Sequence, residues 1–140
     1  MIKNTDEMQQ EIQSTDNIYD VLDNNHESFR FEELSDYLKE LLDRKNIKPA
    51  EAIRKSGLDR SYGHQIISGK KAPSRDKLIA LSFGMGLELD EVNDLLKVSR
   101  NRTLYARDQR DAVIIYAFTN KLSIIETNQL LFEKGIEIIS

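Results

Sequence analysis

The chain has 140 residues, 39% hydrophobic and 31% charged, with a net charge of −4 and no cysteine. Disulfides and thiolate metal centres are therefore excluded, and no apolar run reaches the roughly 18 residues that a membrane helix needs. The polar start MIKNTDEMQQ lacks the apolar stretch of a signal peptide, so a cytoplasmic protein is expected.

Residues 1–30 form an acidic N-terminal segment, expected to be partly helical or disordered; residues 1–31 carry a net charge of −5. Met8, Ile12, Thr15, Tyr19 and Leu22 make one thin helical seam. The segment reads either as a frayed tail or as an acidic helix that docks on its own domain or on a partner chain. Its charge excludes contact with DNA.

Residues 31–98 hold the strongest helical signals. Phe31 to Lys45 reads as a helix with an apolar face of Leu34, Tyr37, Leu38, Leu41 and Leu42, ended by a left-handed Asn46. Pro49 suits a first helical turn, and Ala50 to Ser56 are helix formers. Gly57 closes that helix cheaply in the left-handed conformation. Asp59 then caps a second helix that runs to about Ser68 and ends at Gly69. The turn between the two is three to four residues, the length of a helix-turn-helix unit. Pro73 breaks the chain, and Ser74 caps the next helix without a capping box, since Lys77 stands at its third position. That helix reaches Gly84-Met85-Gly86, and Leu89 to Val98 forms a fifth around Val92, Leu95 and Leu96.

The run AEAIRKSGLDRSYGHQIISGKKAPSRDKLIALS resembles the DNA-binding domain of the Xre, Cro and phage-repressor type. Gly57 stands at the family's turn glycine and Ile66 at an apolar core position of its recognition helix. Gly69-Lys70-Lys71 with Pro73-Ser74 is similar to the loop that follows that helix. The resemblance covers roughly residues 34–96. It implies an all-α fold: a five-helix repressor-like domain, carrying the N-terminal acidic segment and a C-terminal helical hairpin. It departs from the family in two places. Lys48 and Pro49 replace the polar cap and the glutamine that holds a phosphate. Ile53 and Gly63 replace a small and a large residue where the helices cross, which reads as a volume swap with Ile53 packed over Gly63.

Charge follows the motif. Residues 44–77 carry ten Lys/Arg against three Asp/Glu, a net +7. A basic patch attracts phosphate whatever the overall charge. The resemblance implies base reading by Arg60, Ser61, His64 and Gln65 in the first two turns of the second helix. An arginine fork matches guanine and a glutamine amide matches adenine. Phosphate contacts are expected from Lys48, Tyr62, Lys70, Lys71 and Arg75.

Residues 99–140 read as a polar connector, SRNRTLY, and a helical hairpin. Arg107 to Asn120 carries an apolar band of Val113, Ile114, Ile115, Tyr116 and Phe118. Asp108 and Asp111 suit a helix start, with Arg107–Asp111 as an i,i+4 ion pair. Ser123 and Glu126 form a capping box for a last helix with a core face of Ile124, Leu131 and Phe132, ended by Gly135. Ile136, Ile138 and Ile139 add more apolar surface than a loose tail needs. The first hairpin helix is apolar beyond one stripe, so it is expected to help hold a homodimer, and the hairpin is the surface for any protein partner.

His26 and His64 stand far apart with no ligand pattern around them, and no nucleophile or phosphate-loop motif occurs. No cofactor, metal or enzymatic activity is expected. The sequence points to a sequence-specific regulator that binds double-stranded DNA. Its alternatives are a protein-interaction module, an antitoxin or an enzyme's adaptor, and a nucleoid-type binder with little sequence preference.

Overall fold

The computed structural model describes residues 3–25 and 33–140. Among the described residues there are nine α-helices and no strand. None of these helices is long and apolar enough to cross a membrane. The chain divides into two compact units, residues 1–33 and 34–140.

In the first unit, α1 spans Thr5–Ser14 and α2 spans Ile18–Asn24. The expected continuous seam is a correction here, because the chain breaks between Ser14 and Ile18. The Thr15 hydroxyl donates to the Asn17 carbonyl and accepts its N–H. Asn17 then caps α2 by accepting the Tyr19 N–H at 3.0 Å, as Asn4 caps α1 through Glu7 N–H at 2.8 Å. These polar side chains satisfy backbone groups that a continuing helix would have used. Ile12, Ile18, Tyr19 and Leu22 are exposed, while Val21 and Asn25 are buried. Glu11 accepts from Lys3 at 2.6 Å and from the Asn25 amide. His26 and the expected start of the next helix at Phe31 lie outside the described residues.

The second unit contains α3 (Leu34–Lys45), α4 (Pro49–Ser56), α5 (Arg60–Ser68), α6 (Arg75–Met85), α7 (Leu89–Val98), α8 (Gln109–Thr119) and α9 (Ile124–Glu133). Local chemistry sets these limits. Asn46 takes a left-handed φ of 54° after α3. Gly57, Gly69 and Gly86 do the same after α4, α5 and α6. Asp59, Ser74 and Ser123 accept N–H bonds at the starts of α5, α6 and α9, and the Ser123–Glu126 capping box is complete. Helix α6 runs through Gly84 and stops at Met85, so Gly84 is an interior residue, not a terminator.

One apolar core joins all seven helices. It includes Leu38, Leu41, Ile53, Ile66, Leu78, Leu81, Leu95 and Leu96, and continues through Ile114, Phe118, Leu131 and Ile139 of the hairpin and tail. Two glycines let helices approach α4. A Cβ on Gly63 would stand 2.6 Å from Ile53 Cγ2, and one on Gly84 would stand 2.0 Å from the Ala52 carbonyl oxygen. Ile53 therefore occupies the space over Gly63, as the volume swap requires, and is itself buried.

Two reciprocal arginine forks clamp α8 to α6. Arg75 donates to both Asp111 carboxylate oxygens at 3.1 and 3.0 Å. Arg110 donates to both Asp76 oxygens at 2.9 and 2.7 Å. Asp111 is thus paired with Arg75 and not with Arg107, a correction of the expected i,i+4 pair. The reason is reach: Asp111 points into the interior, only 1% exposed, where Arg75 also donates to the Arg102 and Thr103 carbonyls of the connector.

Candidate nucleic-acid interface

Helix α5 presents two distinct sides. Gly63, Ile66 and Ile67 are buried. Arg60, Ser61, His64 and Ser68 are exposed and Gln65 is half-buried. At about 100° per residue these five fall within one broad stripe, with Ser61 and Gln65 four residues apart and stacked. The apolar side is what turns this stripe outward: Ile66 and Ile67 enter the core, and Gly63 sits under Ile53. The turn before α5 is equally fixed. Buried Ser56 donates its hydroxyl to the Ile53 carbonyl at 2.6 Å and accepts the Leu58 N–H at 3.2 Å. Asp59 accepts the Tyr62 N–H at 3.1 Å and makes no ion pair with Arg60.

The cations around α5 fall into two groups. Some are neutralised within the chain. Lys45 and Arg44 reach Glu91 at 2.6 and 3.6 Å, Lys55 pairs with Glu51 at 3.0 Å, and Arg75 with Asp111 at 3.0 Å. Desolvation of half-buried Glu91 would raise its titration, but Lys45 and the Glu88 N–H hold it below its ordinary value. Lys77 lies 5.5 Å from the centre of the Tyr62 ring, a cation–π distance. The remaining cations, Lys48, Arg54, Arg60, Lys70 and Lys71, are exposed and have no carboxylate partner among the described residues. Lys48 stands at the N-cap of α4, Arg60 at the first turn of α5, and Lys70 and Lys71 directly after its C-cap.

The structure thus brings Arg60, Ser61, His64 and Gln65 to one face and sets Lys48, Lys70 and Lys71 on the segments that flank it. Arg75 does not join them. Its guanidinium is engaged by Asp111 and two connector carbonyls, with the side chain only 14% exposed, which holds it on α8 and the connector rather than beside α5. Tyr62 is half-buried and turned toward Lys77 rather than lying with the exposed stripe. Arg54 is the cation that sequence reasoning missed. Its signal was present, since it lies within the basic stretch and has no acidic residue four positions before or after it.

The hairpin also differs from expectation. Ile114 and Phe118 of α8 are buried within the chain, and Val113 and Ile115 are half-buried; of the band only Tyr116 is exposed. On α9, Phe132 was expected in the core face but is 78% exposed, as is Ile125 at 77%. Asn128 explains the displacement. It bonds both the N–H and the carbonyl of Ile139, at 2.8 and 3.0 Å, so the C-terminal tail covers the side of α9 beside Phe132.

Among the described residues no group of three or more His, Asp or Glu could hold a metal ion. Comparison of the chain with protein-family models, curated proteins and solved structures finds no match.

Proposed function

We propose that this protein is a sequence-specific DNA-binding regulator of the repressor-like helix-turn-helix type, with α4 and α5 as the unit and α5 as the recognition helix. In this geometry the second helix enters the major groove and the first crosses the backbone. One observation carries the reading. A short, rigidly seated helix offers a stripe of Arg60, Ser61, His64 and Gln65, framed by lysines that form no ion pair among the described residues. Arg60 suits guanine, Gln65 suits adenine and Ser61 suits either. Lys48, Lys70 and Lys71 hold phosphates and set the helix's register. Arg54, on the helix that crosses the backbone, joins them, and Arg75 serves as a structural clamp instead.

The test begins with selection of bound sites from random duplex DNA. On the best site, Arg60→Ala and Gln65→Ala should each cost about 1–3 kcal/mol and relax preference at one or two base positions. Mutants that keep the parent's site preference unchanged would show that these residues do not read bases. Absence of any DNA binding at low salt would return the chain to the interaction-module reading.

A further inference from the structure

The connector between α7 and α8 closes around the Arg75 guanidinium. Arg75 is the first residue of α6. Its Nε donates to the Arg102 carbonyl at 3.0 Å, and a terminal nitrogen donates to the Thr103 carbonyl at 3.1 Å. The Asp111 carboxylate that Arg75 grips also accepts the Tyr105 N–H at 3.0 Å. From the other side, Leu104 is buried and its N–H bonds the Asn93 side chain at 2.9 Å. Residues 102–105 are therefore fixed against the start of α6. Lys71 stands four residues before Arg75, a reach of at most about 14 Å.

This wrap is neutral inside and basic outside. Arg75 is matched by Asp111, and Arg110 by Asp76. Arg100, Arg102 and Arg107 are exposed and form no ion pair among the described residues. Asp108 is the one other carboxylate in residues 99–111, and it accepts the Asp111 N–H at 2.9 Å. Arg102 also draws the Asp111 carboxyl down through space, which places its charge near the Arg75 fork.

We infer that Arg102 takes the phosphate contact expected of Arg75, and so extends the duplex-binding surface from Lys70 and Lys71 onto the connector. The inference rests on the reading of α5 as a recognition helix. It adds a contact from outside residues 34–96, the stretch that carries the resemblance. With α5 in the groove, the loop after it and the start of α6 run beside the phosphate strand, and the connector is tied to that start. A guanidinium there grips phosphate through two parallel N–H bonds. Such a contact sets register and adds affinity but reads no base.

The test compares the full chain with Arg102→Ala on the best selected duplex and on a scrambled one. The side chain is exposed, so the thermal midpoint should not move. The salt slope should fall by about one on both duplexes. Counterion release then makes the loss about eightfold at 0.1 M salt, shrinking to none near 1 M, with site preference kept. Arg102→Lys, which keeps the charge, should keep the slope. A neutral methylphosphonate at the contacted phosphate should weaken the parent by the same factor and Arg102→Ala not at all. If the parent prefers the selected duplex and Arg102→Ala leaves its slope unchanged, this inference is overturned and the α5 reading stands. A slope that falls equally in Arg102→Lys, or a loss confined to the selected duplex, also overturns it. A parent that binds neither duplex overturns both.

Discussion

The side chain of Ile53 fills the space that a Cβ on Gly63 would need, with Cγ2 at 2.6 Å and Cγ1 at 2.8 Å from that position. A β-branched side chain is stiff at χ1 and cannot swing its γ carbons away. Gly63→Ala should therefore destabilise the protein by about 1–2 kcal/mol, even though alanine gains about 1 kcal/mol in helix propensity. Ile53→Ala alone should cost about 2–5 kcal/mol. The double mutant should lose clearly less than the sum, because each change relieves the other. Urea unfolding of the four proteins measures this coupling, and strict additivity would contradict the contact.

Gly84 faces backbone rather than a side chain. A Cβ there would lie 2.0 Å from the Ala52 carbonyl oxygen and 3.0 Å from its carbonyl carbon. Relief requires α6 to move off α4. Gly84→Ala should cost about 3 kcal/mol, at the top of the overpacking range, and more than Gly63→Ala. A thermal midpoint within a degree or two of the parent's would refute the close approach.

Burial alone would push the Asp111 carboxyl up, but the Arg75 fork and the Tyr105 N–H outweigh it and hold the group below the usual carboxylate range. A lowered folded pKa means that its stabilisation is present above the unfolded value and is lost as pH falls through the folded one. Asp111→Asn should cost about 3 kcal/mol at neutral pH, since it strands a largely buried guanidinium. The gap between parent and mutant should be constant above about pH 5 and narrow below it. A gap that widens on acidification would contradict the sign.

Much of this fold could be read from local chemistry. Pro49, Gly57, Asp59, Gly69, Ser74 and Ser123 announce helix ends because their effects act within a turn of themselves. The exchange of volume between Ile53 and Gly63 was readable only because the resemblance supplied the crossing point. What was hidden depends on distant partners. Arg75 looks like any cation at a helix start until Asp111, 36 residues on, captures it. Gly84 looks like a terminator until Ala52 is seen against it. Phe132 fits an apolar face by periodicity, and only the Asn128–Ile139 pairing shows which side the tail takes. In α1 and α2 the expected seam fails as well: Val21, outside it, is buried while Ile12, Tyr19 and Leu22 are exposed, and three polar residues, Thr15, Asp16 and Asn17, separate the two helices.

Lys70 and Lys71 follow α5 without a carboxylate partner among the described residues, so their charge is available to phosphate. Lys70→Ala should weaken binding to all duplexes about equally and lower the salt slope by about one. Arg75→Ala should instead reduce stability and leave the slope nearly unchanged once the protein is folded. Fluorescence anisotropy at several salt concentrations separates the two. A changed site preference for Lys70→Ala would assign it a different role.

On the proposed function, the exposed face of α5 reads DNA sequence. Competition binding of the full chain to its best selected duplex against a scrambled duplex of equal length tests it most directly. A preference of about 10³ or more is expected at physiological salt, with affinity falling as salt rises. Equal affinity for the two duplexes, or no binding to either, would contradict it.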